Sequence, residues 1–151
     1  MIVDTHTHLY LDEFDKDIDD VIAAALQHSV SAFYLPAINS ETHEKMIALG
    51  DKYPKHCFPM IGLHPCYVKE EYKKELELVE EYLSKKKFSG IGECGLDFYW
   101  DKTFVTEQYL ALEHQIILAP THQLPRILHT RNDTQETIDV IRKNKSEHVR
   151  G

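Results

Sequence analysis

Phe88-Ser89-Gly90-Ile91-Gly92-Glu93-Cys94-Gly95-Leu96-Asp97 is the stretch that decides the fold. Residues 88–93 read as a short strand. The Gly92–Asp97 block ends it with two glycines and two carboxylates. On either side the chain repeats this plan. Strands are expected at residues 1–5, 30–38, 56–62 and 125–129, each a short apolar run bounded by turn residues. Helices are expected between them. Residues 15–28 place Ile18, Val21, Ile22, Ala25 and Leu26 on one face. Further helices are read around 41–52, over 70–87 with Leu76, Val79 and Leu83 on the core face, and over 104–119. Asp133 is expected to cap a last helix to about residue 143, with Glu136 three residues on as its capping-box partner. Residues 148–151 resemble the start of a sixth strand. Strict alternation of strand and helix implies a parallel sheet covered by helices, an α/β fold.

The composition narrows the function classes. The chain has 151 residues, enough for one domain with a core. At 42% hydrophobic and 28% charged, it is not a disordered chain. No apolar run reaches the roughly 18 residues of a membrane span. The first residues have no basic segment typical of a signal peptide, so a cytosolic location is expected. A net charge of −8 argues against a broad phosphate-binding surface, though a local site can still take a nucleic acid. Cys57, Cys66 and Cys94 lack zinc-finger spacing and read as reduced thiols, mostly buried. The charge run from Lys69 to Lys87 reads as the solvated side of a helix.

The chemistry-bearing residues gather where strands end. His6-Thr7-His8 follows the first strand, and the alternation of strand side chains turns Asp4, His6 and His8 the same way. Gly62-Leu63-His64-Pro65 follows the third, Glu93 and Asp97 the fourth, and His129-Thr130-Arg131 the fifth. Ligands of parallel α/β folds sit beyond the carboxyl ends of the strands. Each residue alone has a bland explanation as a turn carboxylate or satisfied histidine. Four coincidences at equivalent positions point instead to a shared divalent-metal site. Nitrogen and carboxylate ligands suit zinc or manganese, with magnesium an option where oxygen dominates. The two oxygens of Glu93 can bridge a pair of ions, and Arg131 can hold a phosphate oxygen or pair with a carboxylate.

In order along the whole chain, Asp4-Thr5-His6-Thr7-His8, Gly62-Leu63-His64-Pro65, Gly92-Glu93-Cys94-Gly95-Leu96-Asp97 and His129-Thr130-Arg131 resemble the TatD family of metal-dependent deoxyribonucleases. The six-residue block is specific; the His-x-His pattern is shared with neighbouring families. The resemblance implies a TIM-like (β/α) barrel with up to two metal ions at the strand ends, acting on DNA or another phosphodiester. It implies His6, His8, Glu93 and His129 as metal ligands, with Glu93 also catalytic. It implies substrate-binding places for His64 and Arg131. Two further ligands of the family, a histidine after strand six and an aspartate after strand eight, have no match in residues 1–151. A full barrel takes about 250 residues. The expectation is therefore one hydrolase domain, truncated before its sixth strand, with about five of eight units present. Its open sheet edges then invite self-association. Pro120, inside a helical pattern, and Arg126, at a strand position usually apolar, depart from the family pattern. Two other readings stay open: a phosphoesterase of the polymerase-and-histidinol-phosphatase type, and a catalytically silent fragment.

Overall fold

Five parallel strands run in sequence order in the computed structural model, which describes residues 1–144. They are β1 (Ile2–Asp4), β2 (Val30–Pro36), β3 (Cys57–Met60), β4 (Ile91–Asp97) and β5 (Arg126–Arg131). Between and after them lie α1 (Ile18–Gln27), α2 (Ser40–Lys52), α3 (Tyr72–Lys85), α4 (Val105–Thr121) and α5 (Thr134–Lys143). Strands β1, β2 and β3 pair in parallel, as do β4 and β5. A parallel bridge between Ile61 and Ile91 joins the two sets, so the order β1 to β5 is continuous. Among the described residues, β1 and β5 are the edges. The sixth strand expected at residues 148–151 lies outside the described residues.

The apolar periodicity buries as expected. Phe33, Leu35, Ile61 and Ile91 from the strand side meet Ile22, Met46 and Val79 from the helices in one cluster. Burying a side chain of this size stabilises a fold by about 1.5–3 kcal/mol. Cys57 and Cys94 are buried, Cys66 is half-buried, and all three are free thiols.

Strands β4 and β5 differ from expectation. Both continue past their predicted ends at Glu93 and His129, so Asp97 and Arg131 lie within strands and not in the turns after them. Gly95 makes this possible. It pairs with His129, and a Cβ at Gly95 would stand 1.9 Å from the His129 carbonyl oxygen. Only a residue without a side chain lets the two backbones approach this closely. At the other end β1 stops at Asp4, whose carboxylate accepts the His6 N–H at 3.1 Å. The backbone still follows β2 for a further step, because Thr7 N–H donates to Tyr34 O at 3.1 Å.

Two helix ends also differ. Helix α1 starts later than predicted, after a 3-10 turn at Asp12–Phe14, where Lys45 of α2 draws in both Asp12 and Asp15. At α5 the box between Asp133 and Glu136 does not form. The buried Asp133 carboxylate accepts instead from Phe98 N–H (3.2 Å), Arg131 N–H (3.3 Å) and Thr137 Oγ1 (3.2 Å). It ties the ends of β4 and β5 together rather than closing its own helix.

Pro120 and Arg126 explain one another. Helix α4 runs through Pro120 to Thr121. Proline has no N–H for the carbonyl four residues back, which is Ile116. That oxygen accepts two bonds from the buried Arg126 side chain, from Nε at 3.1 Å and Nη2 at 2.6 Å. A buried acceptor left unpaired costs about 1–3 kcal/mol. We predict that Arg126→Met costs about that much in the native background. In a Pro120→Ala background the helix's own N–H takes the Ile116 oxygen, and the cost falls by about 1 kcal/mol or more. Urea unfolding of the four-variant cycle measures this coupling; equal costs in both backgrounds would refute the pairing.

Candidate metal centre

Glu93 is 5% exposed, and its carboxylate is approached from two sides. Its Oε2 lies 3.0 Å from His6 Nε2 and 3.9 Å from His8 Nε2. Its Oε1 lies 3.1 Å from His129 Nδ1 and 3.8 Å from His64 Nε2. The strands account for this. His6 and His8 leave the end of β1, His64 follows β3, Glu93 stands within β4, and His129 stands within β5 beside Gly95. Two groups result, His6–His8–Glu93 and His64–Glu93–His129, each with donor atoms within 4.8 Å of one another. The five residues predicted to share a site are thus brought together. Arg131 is the exception. It stands two residues beyond His129, with its guanidinium carbon 4.8 Å from the Tyr99 ring centre. No carboxylate pairs with it among the described residues.

The outer partners decide what each ring can do. His8 Nδ1 faces the Pro36 carbonyl at 3.1 Å and the Tyr10 hydroxyl at 2.9 Å. Donating there leaves Nε2 with its lone pair turned toward Glu93. This is the usual support of a metal-binding imidazole. Tyr10 is buried, and its hydroxyl donates to the same carbonyl at 2.6 Å. His129 is held likewise: its Nε2 lies 2.9 Å from Asp97 Oδ2, so a proton kept there frees Nδ1 as a ligand atom. His64 differs. Its Nδ1 accepts from Cys66 N–H at 3.1 Å, so the neutral ring carries its proton on Nε2. That nitrogen offers a hydrogen-bond donor, not a lone pair.

Asp97 and Tyr10 are the residues that sequence reading missed as supports. Asp97 is 2% exposed and also accepts from Tyr99 N–H at 3.0 Å and from the Cys66 thiol at 3.3 Å. Strand alternation puts Glu93, Gly95 and Asp97 on one face. That signal was legible, but only if β4 is carried past Glu93.

Helix α4 holds this edge in place with two buried glutamines two turns apart. Gln108 accepts the Asp97 N–H at 2.8 Å and donates to the Asp97 carbonyl at 3.2 Å. Gln115 does the same for Leu63, beside His64, at 2.8 and 3.2 Å. Each amide group closes a pair of bonds that a neighbouring strand would otherwise supply.

The charges follow from this packing. Burial pushes the Glu93 carboxyl upward, but the His129 hydrogen bond and the nearby His64 and His6 rings bring it below its ordinary value. His129 is raised, chiefly by donating to Glu93, with Asp97 adding to the effect. Burial lowers His8, helped by the neighbouring His6, and lowers His64 to about 4.

Comparison with known proteins adds the family context. A family model described as TatD related DNase matches residues 3–151. An uncharacterized metal-dependent hydrolase, YabD of Bacillus subtilis, is 29% identical over 151 residues, covering 100% of this chain and 59% of that protein. The human deoxyribonuclease TATDN3 is 31% identical, covering 98% of this chain and 58% of its own length. The crystal structure of YJJV, a TatD homologue from Escherichia coli, superposes with a TM-score of 0.88 at 28% identity, over 95% of this chain and 56% of that one. The chain therefore spans between half and three-fifths of the length of these relatives.

In the metal-free protein, His129 should titrate above 6.5 and His64 near 4 by ring-proton NMR. The signs differ. His129 contributes stability below the unfolded value of 6.5 that is lost as pH rises through its raised folded value. His64, favoured neutral, contributes stability above 6.5 that is lost as pH falls toward 4. Asp97→Asn should lower the His129 midpoint; an unchanged midpoint would show that Asp97 does not hold that ring.

Proposed function

The chain belongs to the TatD related DNase family, and from that premise we propose that it hydrolyses phosphodiester bonds of nucleic acid with divalent metal held at Glu93. The observation that carries this reading is the division of one buried carboxylate between two sets of imidazoles. The donor set fits hard or borderline divalent cations: carboxylate oxygen and neutral imidazole, with no thiolate close by. In this reading His6, His8 and Glu93 would hold one ion, and His129 with Glu93 would hold a second, more weakly. Magnesium, manganese and zinc are the candidate ions. When bound, such ions polarise a phosphoryl oxygen and lower the pKa of water.

The chain's own residues supply the rest. Asp97 keeps the His129 proton on Nε2, so that Nδ1 stays available. His8 is oriented by the Pro36 carbonyl. His64, neutral and with its proton on Nε2, donates a hydrogen bond to a non-bridging phosphate oxygen. Arg131 takes a further phosphate through its planar fork. The family assignment favours this reading over a phosphoesterase of the polymerase-and-histidinol-phosphatase type. Among the described residues no helix is long and apolar enough to cross a membrane.

The test is calorimetric titration with manganese or magnesium, followed by incubation of the loaded chain with single-stranded DNA and with small phosphate monoesters. Replacing an outer-shell partner typically weakens metal binding by about 10–100-fold. Asp97→Asn should fall in that range, and Glu93→Gln should lose more, because an amide bridges two cations poorly. Hydrolysis should be of DNA rather than of the monoesters. Unchanged metal affinity in Glu93→Gln would overturn the assignment.

A further inference from the structure

We propose that Tyr99, Trp100 and Arg131 form a stacking shelf for an unpaired base of a single-stranded nucleic acid beside the metal centre. This rests on the nuclease reading above and names a part of the substrate that the metal ligands do not touch. Trp100 is 69% exposed and Tyr99 is 54% exposed, and their rings meet edge to face with centroids 4.7 Å apart. The Arg131 guanidinium carbon lies 4.8 Å from the Tyr99 ring centre and 5.5 Å from that of Trp100. Two large rings left in water beside a cation that has no carboxylate partner among the described residues match the chemistry of a nucleotide, whose base has a π-face and whose phosphate is negative.

The shelf is built, not a loose tip. Tyr99 N–H donates to Asp97 Oδ1 at 3.0 Å. Phe98 N–H is shared between the Arg131 carbonyl and Asp133 Oδ2, both at 3.2 Å. The next carboxylate along the loop, Asp101, is paired with Lys69 at 2.8 Å. The same Asp97 that fixes the shelf also holds His129, and Arg131 lies on the same strand face as His129 two residues on. Asp97 thus joins the shelf to the ring that faces Glu93, and a base near a phosphate held there is the one offered to the shelf.

Charge explains why stacking is needed. A net charge of −8 argues against a broad phosphate-binding surface that could hold the strand by charge alone. Stacking on aromatic rings is tolerant of base identity and requires unpaired bases, since a duplex hides their faces. The shelf thus selects single strands without selecting sequence.

Trp100 is the chain's one tryptophan, so its fluorescence reports on this place alone. The full chain, with magnesium present, is titrated with a short phosphorothioate-linked oligothymidylate that resists cleavage, and with an abasic strand of the same length and linkage. The proposal expects saturable quenching by the thymidylate and little by the abasic strand. By anisotropy of labelled strands, Trp100→Ala should weaken thymidylate binding about ten- to a hundredfold. Trp100→Phe should keep most of it, and abasic-strand binding should not change. Equal thymidylate affinity in wild type and Trp100→Ala, without quenching, would overturn the shelf while leaving the nucleic-acid reading intact. Failure of wild type to bind either strand would overturn the nucleic-acid reading, and the shelf with it.

Discussion

A buried carboxylate at Glu93 constrains everything around it. Taken out of water, its charge needs hydrogen-bonded or cationic partners, and the fold supplies them from the ends of three other strands, β1, β3 and β5. His6 and His8 face one oxygen; His129 and His64 face the other. In the metal-free protein His129 stabilises this charge when protonated, which is why its pKa is raised. A divalent ion competes for the same lone pairs, so metal and proton are alternatives at the site. This arrangement carries the functional reading, because it makes one side chain common to two candidate ligand groups.

The rest of the structure holds that carboxylate where it is. Gly95 lets β5 lie close enough for His129 to stand between Glu93 and Asp97. Gln108 and Gln115 fasten the ends of β4 and β3 to a single helix. Asp133 fastens the segment after β4 to β5. These polar groups are buried and paired, so together they fix geometry at a site that apolar packing alone could not aim. The same segment then presents Tyr99 and Trp100 as exposed rings, linking the imidazoles around Glu93 to the proposed stacking shelf.

Much of this was legible in the sequence. Short apolar runs alternating with amphipathic helices gave five parallel strands in order, and the clusters at their ends gave His6, His8, His64, Glu93 and His129. Other features were not legible. The run of β4 and β5 past their predicted ends depends on the backbone approach at Gly95, a tertiary contact that a glycine-rich stretch mimics as a turn. Asp97 as the support of His129 follows only from that extension. The pairing of Pro120 with Arg126 is invisible from either residue alone. Each looks like a departure from the family pattern, and only their spacing in three dimensions shows that the guanidinium fills the bond the proline cannot make. Likewise the Asp133–Glu136 box does not form because the Asp133 carboxylate is taken by the Phe98 and Arg131 N–H groups and the Thr137 hydroxyl.

The central claim is that Glu93 is shared between two ions. Electron paramagnetic resonance of the manganese-loaded chain tests it most directly, since ions bridged by one carboxylate lie only about 3.5–4 Å apart. At saturating manganese the wild type should show a spin-coupled pair, and Glu93→Gln only the resolved hyperfine pattern of isolated ions. A wild-type spectrum of isolated ions at every loading would contradict the account.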